Sequence, residues 1–165
     1  MARGRLFCLA PLIPGAPCIR HMFVSDEIFE TVTPPWETED GYRRGSLRAD
    51  LDSFVEGSSI SIAHNPYDKN KSAYLARIHP VGDEIWDIRS IDPKSAMRVL
   101  GCFAECDVFI ALVYEYRKNL DGPDGPLWRA FIARAKVEWR KCFLTLKPHA
   151  GRTTSEYVSE NFHLV

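Results

Sequence analysis

The sequence holds no apolar run near the ~20 residues that a membrane-spanning helix needs, which excludes such a span. It has almost no excess charge. Its 21 Lys and Arg against 22 Asp and Glu leave −1, so the chain as a whole makes no electrostatic case for nucleic acid. Cysteine is sparse and irregular: five residues, at 8, 18, 102, 106 and 142, without a Cys-x-x-Cys pair. That pattern offers neither a disulfide framework nor a zinc site, and it points to a reduced, cytoplasmic chain. There is no Gly-rich phosphate loop, no His-Glu-x-x-His pair and no Gly-x-Ser-x-Gly elbow, so no cofactor and no metal are expected. Repeats and low-complexity tracts are missing too.

Aromatic residues are plentiful instead. Nine Phe, four Trp and six Tyr in 165 residues exclude a mainly disordered chain. A chain of this length buries roughly two-thirds of its unfolded surface and folds without a staple. The expected organisation is an irregular arm over 1–21, a single α+β domain over 22–147, and a C-terminal tail over 148–165 packed on or extending from that domain. In the arm, Arg3 and Arg5 precede Leu6–Ala10, but the apolar stretch is too short for a signal peptide and Pro11, Pro14 and Pro17 follow it. Met22 is a candidate native start, because the globular pattern begins there.

Within the domain, Pro34-Pro35 breaks the acidic stretch 22–40. Residues 46–56 read as a short helix with Leu47, Leu51, Phe54 and Val55 on one face and Gly57 as its stop. His64–Lys71 is a polar loop. The period then becomes two. Strands are expected over 73–81, 84–90, 96–104 and 107–116, joined by short links that favour an antiparallel meander. In the second, Trp86 and Ile88 share one face, and Ile85, Asp87 and Arg89 the other. After the breaker Asp121–Pro126, the stripe Trp128, Phe131, Ile132, Ala135, Trp139, Cys142 and Phe143 marks a long amphipathic helix capped by Asp124, with basic residues opposite. The expected fold class is therefore α+β: an antiparallel sheet of about four strands, a short helix before it and the amphipathic helix after it.

The segments Ile85-Trp86-Asp87-Ile88-Arg89, Arg98-Val99-Leu100 and Arg117-Lys118 follow one another as strand, strand and basic end. Over 75–118 this resembles the RelE/HigB-like toxin superfamily, including its phage-derived members. The resemblance implies a small α+β domain with a curved antiparallel sheet and a helix before it. It also implies metal-independent cleavage of translated mRNA on the ribosome and an antitoxin protein as partner. By motif position Arg98 matches the family's strand arginine, Arg117 and Lys118 its basic end, and Arg89 the arginine of the second strand. The chemistry needs cations around a scissile phosphate and a group that moves a proton, for which Tyr116 and His79 are the nearby candidates. Arg89, with Arg134 and Lys141 on the basic helix face, are candidate phosphate contacts. Neither a membrane nor DNA is an expected partner.

Each candidate also has a structural reading. Arg89 shares a strand face with Asp87, which suits an ion pair. Arg117 and Lys118 sit at a strand end, where solvated charges are common, and His79 has no companion at metal spacing. Two further functions stay open: a non-catalytic binding protein that docks a partner on its Trp-rich helix, and an unrelated enzyme with a site outside 75–118.

Overall fold

A computed structural model describes residues 4–67 and 72–165; positions 68–71 of the expected polar loop lie outside the described residues. Among the described residues the chain forms strands β1 (Leu6–Cys8) and β2 (His21–Ser25), helices α1 (Asp26–Val32) and α2 (Gly41–Val55), and strands β3 (Ile60–Ala63) and β4 (Leu75–Arg77). Strands β5 (Trp86–Ser90), β6 (Met97–Glu105) and β7 (Val108–Tyr116), helix α3 (Pro126–Phe143) and strand β8 (Phe162–Leu164) follow. The strands build one eight-stranded sheet in the order β1-β2-β7-β6-β5-β4-β3-β8.

The sheet is mixed, which corrects the expected antiparallel sheet of about four strands. The meander β4–β5–β6–β7 is antiparallel. It is extended by β2, parallel to β7, and by β3, parallel to β4. Antiparallel β1 and parallel β8 form the two edges. The extra strands have three to five residues each. Three or four residues, as in β1, β3 and β8, are too few to display a period of two, and β2 and β8 have partners far away in sequence.

Helices cover both faces. On one side, Ile28 and Val32 of α1 and Leu47, Leu51 and Phe54 of α2 pack with Trp86, Ile88, Val99 and Phe103. On the other, Phe131, Ala135 and Trp139 of α3 pack on Leu100, Cys102, Ile110, Leu112 and Val113. Each large apolar side chain buried there stabilises the layer by about 1.5–3 kcal/mol. Strand β7 is apolar on consecutive residues because both its faces are covered, Phe109 and Ala111 joining one core and Ile110 and Leu112 the other, and a bulge adds Val113 to the second. Gly101 pairs with Ala111 and Leu100 with Val113, so Leu112 has no opposite and turns to the same core as Val113. Gly101 permits this approach, since a Cβ there would stand 2.2 Å from the Ile110 carbonyl oxygen.

The segments that flank the central meander and helices are part of this body. Leu9 and Arg20, within the expected arm, are buried. Arg20 donates to the carbonyls of Phe54, Ser58, Glu160 and Asn161 at 2.8–3.2 Å, tying α2 to the segment before β8. In the expected tail, Tyr157 and Val158 are fully buried. The Tyr157 hydroxyl donates to Glu84 Oε2 at 2.6 Å, and the Gly151 N–H donates to that hydroxyl at 2.7 Å. Glu84 also pairs with Arg77, which in turn donates to His64 Nε2 at 3.4 Å. Among the described residues no helix is long and apolar enough to cross a membrane.

Candidate functional site

The alternation of β5 and β6 sends Asp87, Arg89 and Arg98 to the α3 side of the sheet, beyond the end of the apolar contact with that helix. There they line an open cleft of about 740 Å³. Its other walls come from Pro66, Tyr67, Ile78 and His79 on one side and from Arg117, Asp121, Asp124 and Trp128 on the other. The meander thus supplies the floor, and the connections around it supply the rim.

Asp87 is the hub of the floor. Arg89 and Arg98 stand directly opposite each other on β5 and β6. Two like charges in that register repel unless a carboxylate lies between them. Asp87 provides it: Oδ2 accepts from Arg98 Nη1 at 2.6 Å and from Arg89 Nε at 3.2 Å. The Asp87 side chain is 1% exposed, against 17% and 18% for the two arginines, so the cations reach further into solvent than the anion that borders the cleft beneath them. Burial pushes the Asp87 carboxyl up, against Arg98 and Arg89, which favour its charged form. Two polar atoms in this triad are buried without a partner among the described residues, Asp87 Oδ1 and Arg98 Nε. Each such atom costs about 1–3 kcal/mol until something bonds it.

On the rim, the Tyr67 hydroxyl and His79 Nδ1 are 2.9 Å apart. Both side chains are exposed. Arg117 follows β7 directly and donates to the carbonyls of Leu120 and Asp121 at 2.8 and 3.2 Å, which fixes its guanidinium at the cleft wall. Asp121 in turn accepts from the N–H groups of Leu127 and Trp128 at 3.0 and 2.9 Å. It therefore caps α3 in place of the expected Asp124. Gly125 makes room for this, since a Cβ would fall 2.0 Å from the Asp121 Cγ. Against the upward push of desolvation, the bonds from Trp128 and Leu127 hold Asp121 below the usual carboxylate range.

Of the residues named from sequence, Arg89, Arg98, Arg117 and His79 share the cleft. The others do not line it. Tyr116 faces the α2 side and donates to Asp40 at 2.7 Å; burial and that bond push its hydroxyl up to about 12. Lys118 lies 5.5 Å from the Tyr116 ring, outside the cleft. Arg134 pairs with Glu27 of α1 at 2.6 Å, and Lys141 pairs with Glu138 along α3 at 2.5 Å. Trp139, expected on a docking face, is buried beneath the helix. Sequence reasoning missed Tyr67, Asp121 and Trp128 as cleft residues, and it missed that Asp87 holds both arginines. The placement of Arg89 beside Asp87 was readable; the register that brings Arg98 to the same oxygen was not.

Chemically, the cleft offers fixed guanidinium groups, one exposed imidazole hydrogen-bonded to a phenol, and aromatic surface from Tyr67 and Trp128. Guanidinium groups bind oxyanions bidentately, and aromatic faces stack on planar groups. Among the described residues no three His, Cys, Asp or Glu side chains come together as a metal site. Comparison with known protein families, with characterised proteins and with solved structures finds no match.

Proposed function

We propose that the cleft binds a phosphodiester of RNA and cleaves it without a metal. The observation that carries this reading is the meeting of Arg89, Arg98, Arg117 and His79 in one cleft, with Arg98 Nε lacking an acceptor that a phosphate oxygen would supply. The arginines balance the charge that builds on the phosphate in the transition state. His79 takes the proton of the 2′-hydroxyl as its oxygen bonds to phosphorus. The bond from phosphorus to the 5′-oxygen breaks, and Tyr67 gives that oxygen a proton, regained from the imidazolium through their hydrogen bond. The products are a 2′,3′-cyclic phosphate and a 5′-hydroxyl end. The helix before the meander and the antiparallel run β5–β6–β7 support the likeness to the toxin superfamily. Its role in the cell is then that of a cytoplasmic toxin acting on translated mRNA and held in check by an antitoxin.

The test is addition of the purified protein to a reconstituted translation reaction on a defined message, with the RNA ends analysed chemically. Cyclic phosphate and 5′-hydroxyl ends that disappear with His79→Ala support the reading; intact RNA rejects it. A second reading is favoured by one observation: Asp87 already engages Arg89 and Arg98. On that reading the cleft binds a phosphate-bearing partner and does no chemistry, and the same RNA is retained without being cut.

A further inference from the structure

Asp87 has an acceptor to spare. Its Oδ2 serves both arginines, while Oδ1 has no partner among the described residues, and the residue lines the cleft. A phosphodiester alone leaves this oxygen unmet, because it has no proton to donate and its charge repels a carboxylate. Arg98 Nε in the same pair is the reverse case, a donor without an acceptor. A ligand that satisfies both atoms must bring a hydrogen-bond donor together with its oxyanion. The cleft, at about 740 Å³, has the size of sites for whole organic ligands, which run from about 300 to 1,000 Å³. Tyr67 and Trp128 supply faces on which a base can stack.

Building on the phosphate-binding reading above, we infer that the cleft selects a ribonucleotide unit and that Asp87 determines this specificity. Oδ1 accepts a hydrogen bond from the ligand's ribose hydroxyl or from its exocyclic base amine, while the arginines hold the phosphate. Carboxylates accept from base amines and from hydroxyls alike, so the two sources share one chemistry. Asp87 is here a positioning and selecting group, and no proton transfer is assigned to it.

The experiment is a calorimetric titration of the full chain with dimethyl phosphate, which has no donor, and with adenosine and cytidine 5′-monophosphates. The 2′-deoxy forms and the deaminated inosine and uridine monophosphates complete the set. The ribonucleotides bind at least ~tenfold more tightly than dimethyl phosphate, as a hydrogen bond to a buried charge predicts. Loss of that margin in the deoxy forms assigns the donor to the ribose; loss in the deaminated forms assigns it to the base. In Asp87→Asn, whose amide turns the spare acceptor into a donor, the margin disappears. A melting curve of the variant shows whether it is folded, and the wild-type series decides the matter if it is not. Equal binding of dimethyl phosphate and every nucleotide overturns the inference and leaves phosphate binding standing. Failure of all of them to bind overturns both.

Discussion

Arg98 reaches Asp87 Oδ2 at 2.6 Å across the β5–β6 ladder, on the oxygen that also holds Arg89. One buried carboxylate thus fixes two cations that would otherwise repel each other from opposite positions on neighbouring strands. The same contact stabilises the sheet and sets the floor of the cleft.

Removing that carboxylate takes from the Arg98 guanidinium its ion-pair partner in a mostly buried site. Asp87→Ala is expected to cost about 3–5 kcal/mol, the range for breaking a buried pair from one side. Lys141→Ala breaks a pair that is a quarter to a third exposed, and is expected to cost less than about 1 kcal/mol. Urea denaturation of the two variants measures the contrast. Equal stabilities contradict the central place given to Asp87.

Tyr157 fastens the C-terminal segment to the sheet through Glu84. Burial and that bond push its hydroxyl up to about 12, so it stays protonated and donating at neutral pH. Tyr157→Phe keeps the ring and removes the donor, which leaves Glu84 short of a partner. The expected loss is about 1–3 kcal/mol by denaturation. A change near zero shows that water replaces the hydroxyl at no cost.

Deleting residues 148–165 is expected to unfold the protein. The deletion takes away Tyr157 and Val158 from the core, β8 from β3, and two of the carbonyls that hold Arg20. Circular dichroism and solubility report the outcome. A folded, cooperative product shows instead that the segment is dispensable.

His64 gives a pH dependence with a definite sign. Burial, then the neighbouring Arg77, hold its imidazole below the ordinary 6.5. Below that pH the unfolded chain takes up a proton that the folded protein refuses. Stability is therefore retained above about pH 6.5 and falls as the pH drops beneath it. The Tm of the wild type is expected to fall between pH 7.5 and 5.5, and His64→Phe is expected to flatten that slope. Parallel curves for the two proteins remove His64 from the account.

Parts of this structure were legible in the residues. The alternation of Trp86 and Ile88 against Asp87 and Arg89, and of Val99 and Phe103 against Arg98, Leu100 and Cys102, assigned β5 and β6 to their faces. The stripe ending at Phe143 gave α3. The edges were not legible, because β1 and β8 have three residues each, and β8 is held by β3 from far away in the chain. In α2, the buried Arg43 and Arg48 hide the helix's inward face: Arg43 donates to the Ser90 and Ser95 carbonyls and Arg48 to Asp52. A buried arginine that bonds carbonyls looks, in sequence, like a solvated one. The cleft followed the same rule. Arg89, Arg98, Arg117 and His79 carried chemistry visible by residue type, whereas Tyr67 and Trp128 entered through loop and helix placement.

The most direct measurement is induced expression of the wild type and of Arg98→Ala in a bacterial host, with growth and mRNA 5′ ends followed together. The wild type is expected to arrest growth and to leave new 5′-hydroxyl ends inside translated messages. Arg98→Ala, recovered as a folded protein at comparable levels, is expected to do neither. Normal growth and unaltered messages with folded wild-type protein, or equal cleavage by the two, would contradict the proposed cleavage of RNA in this cleft.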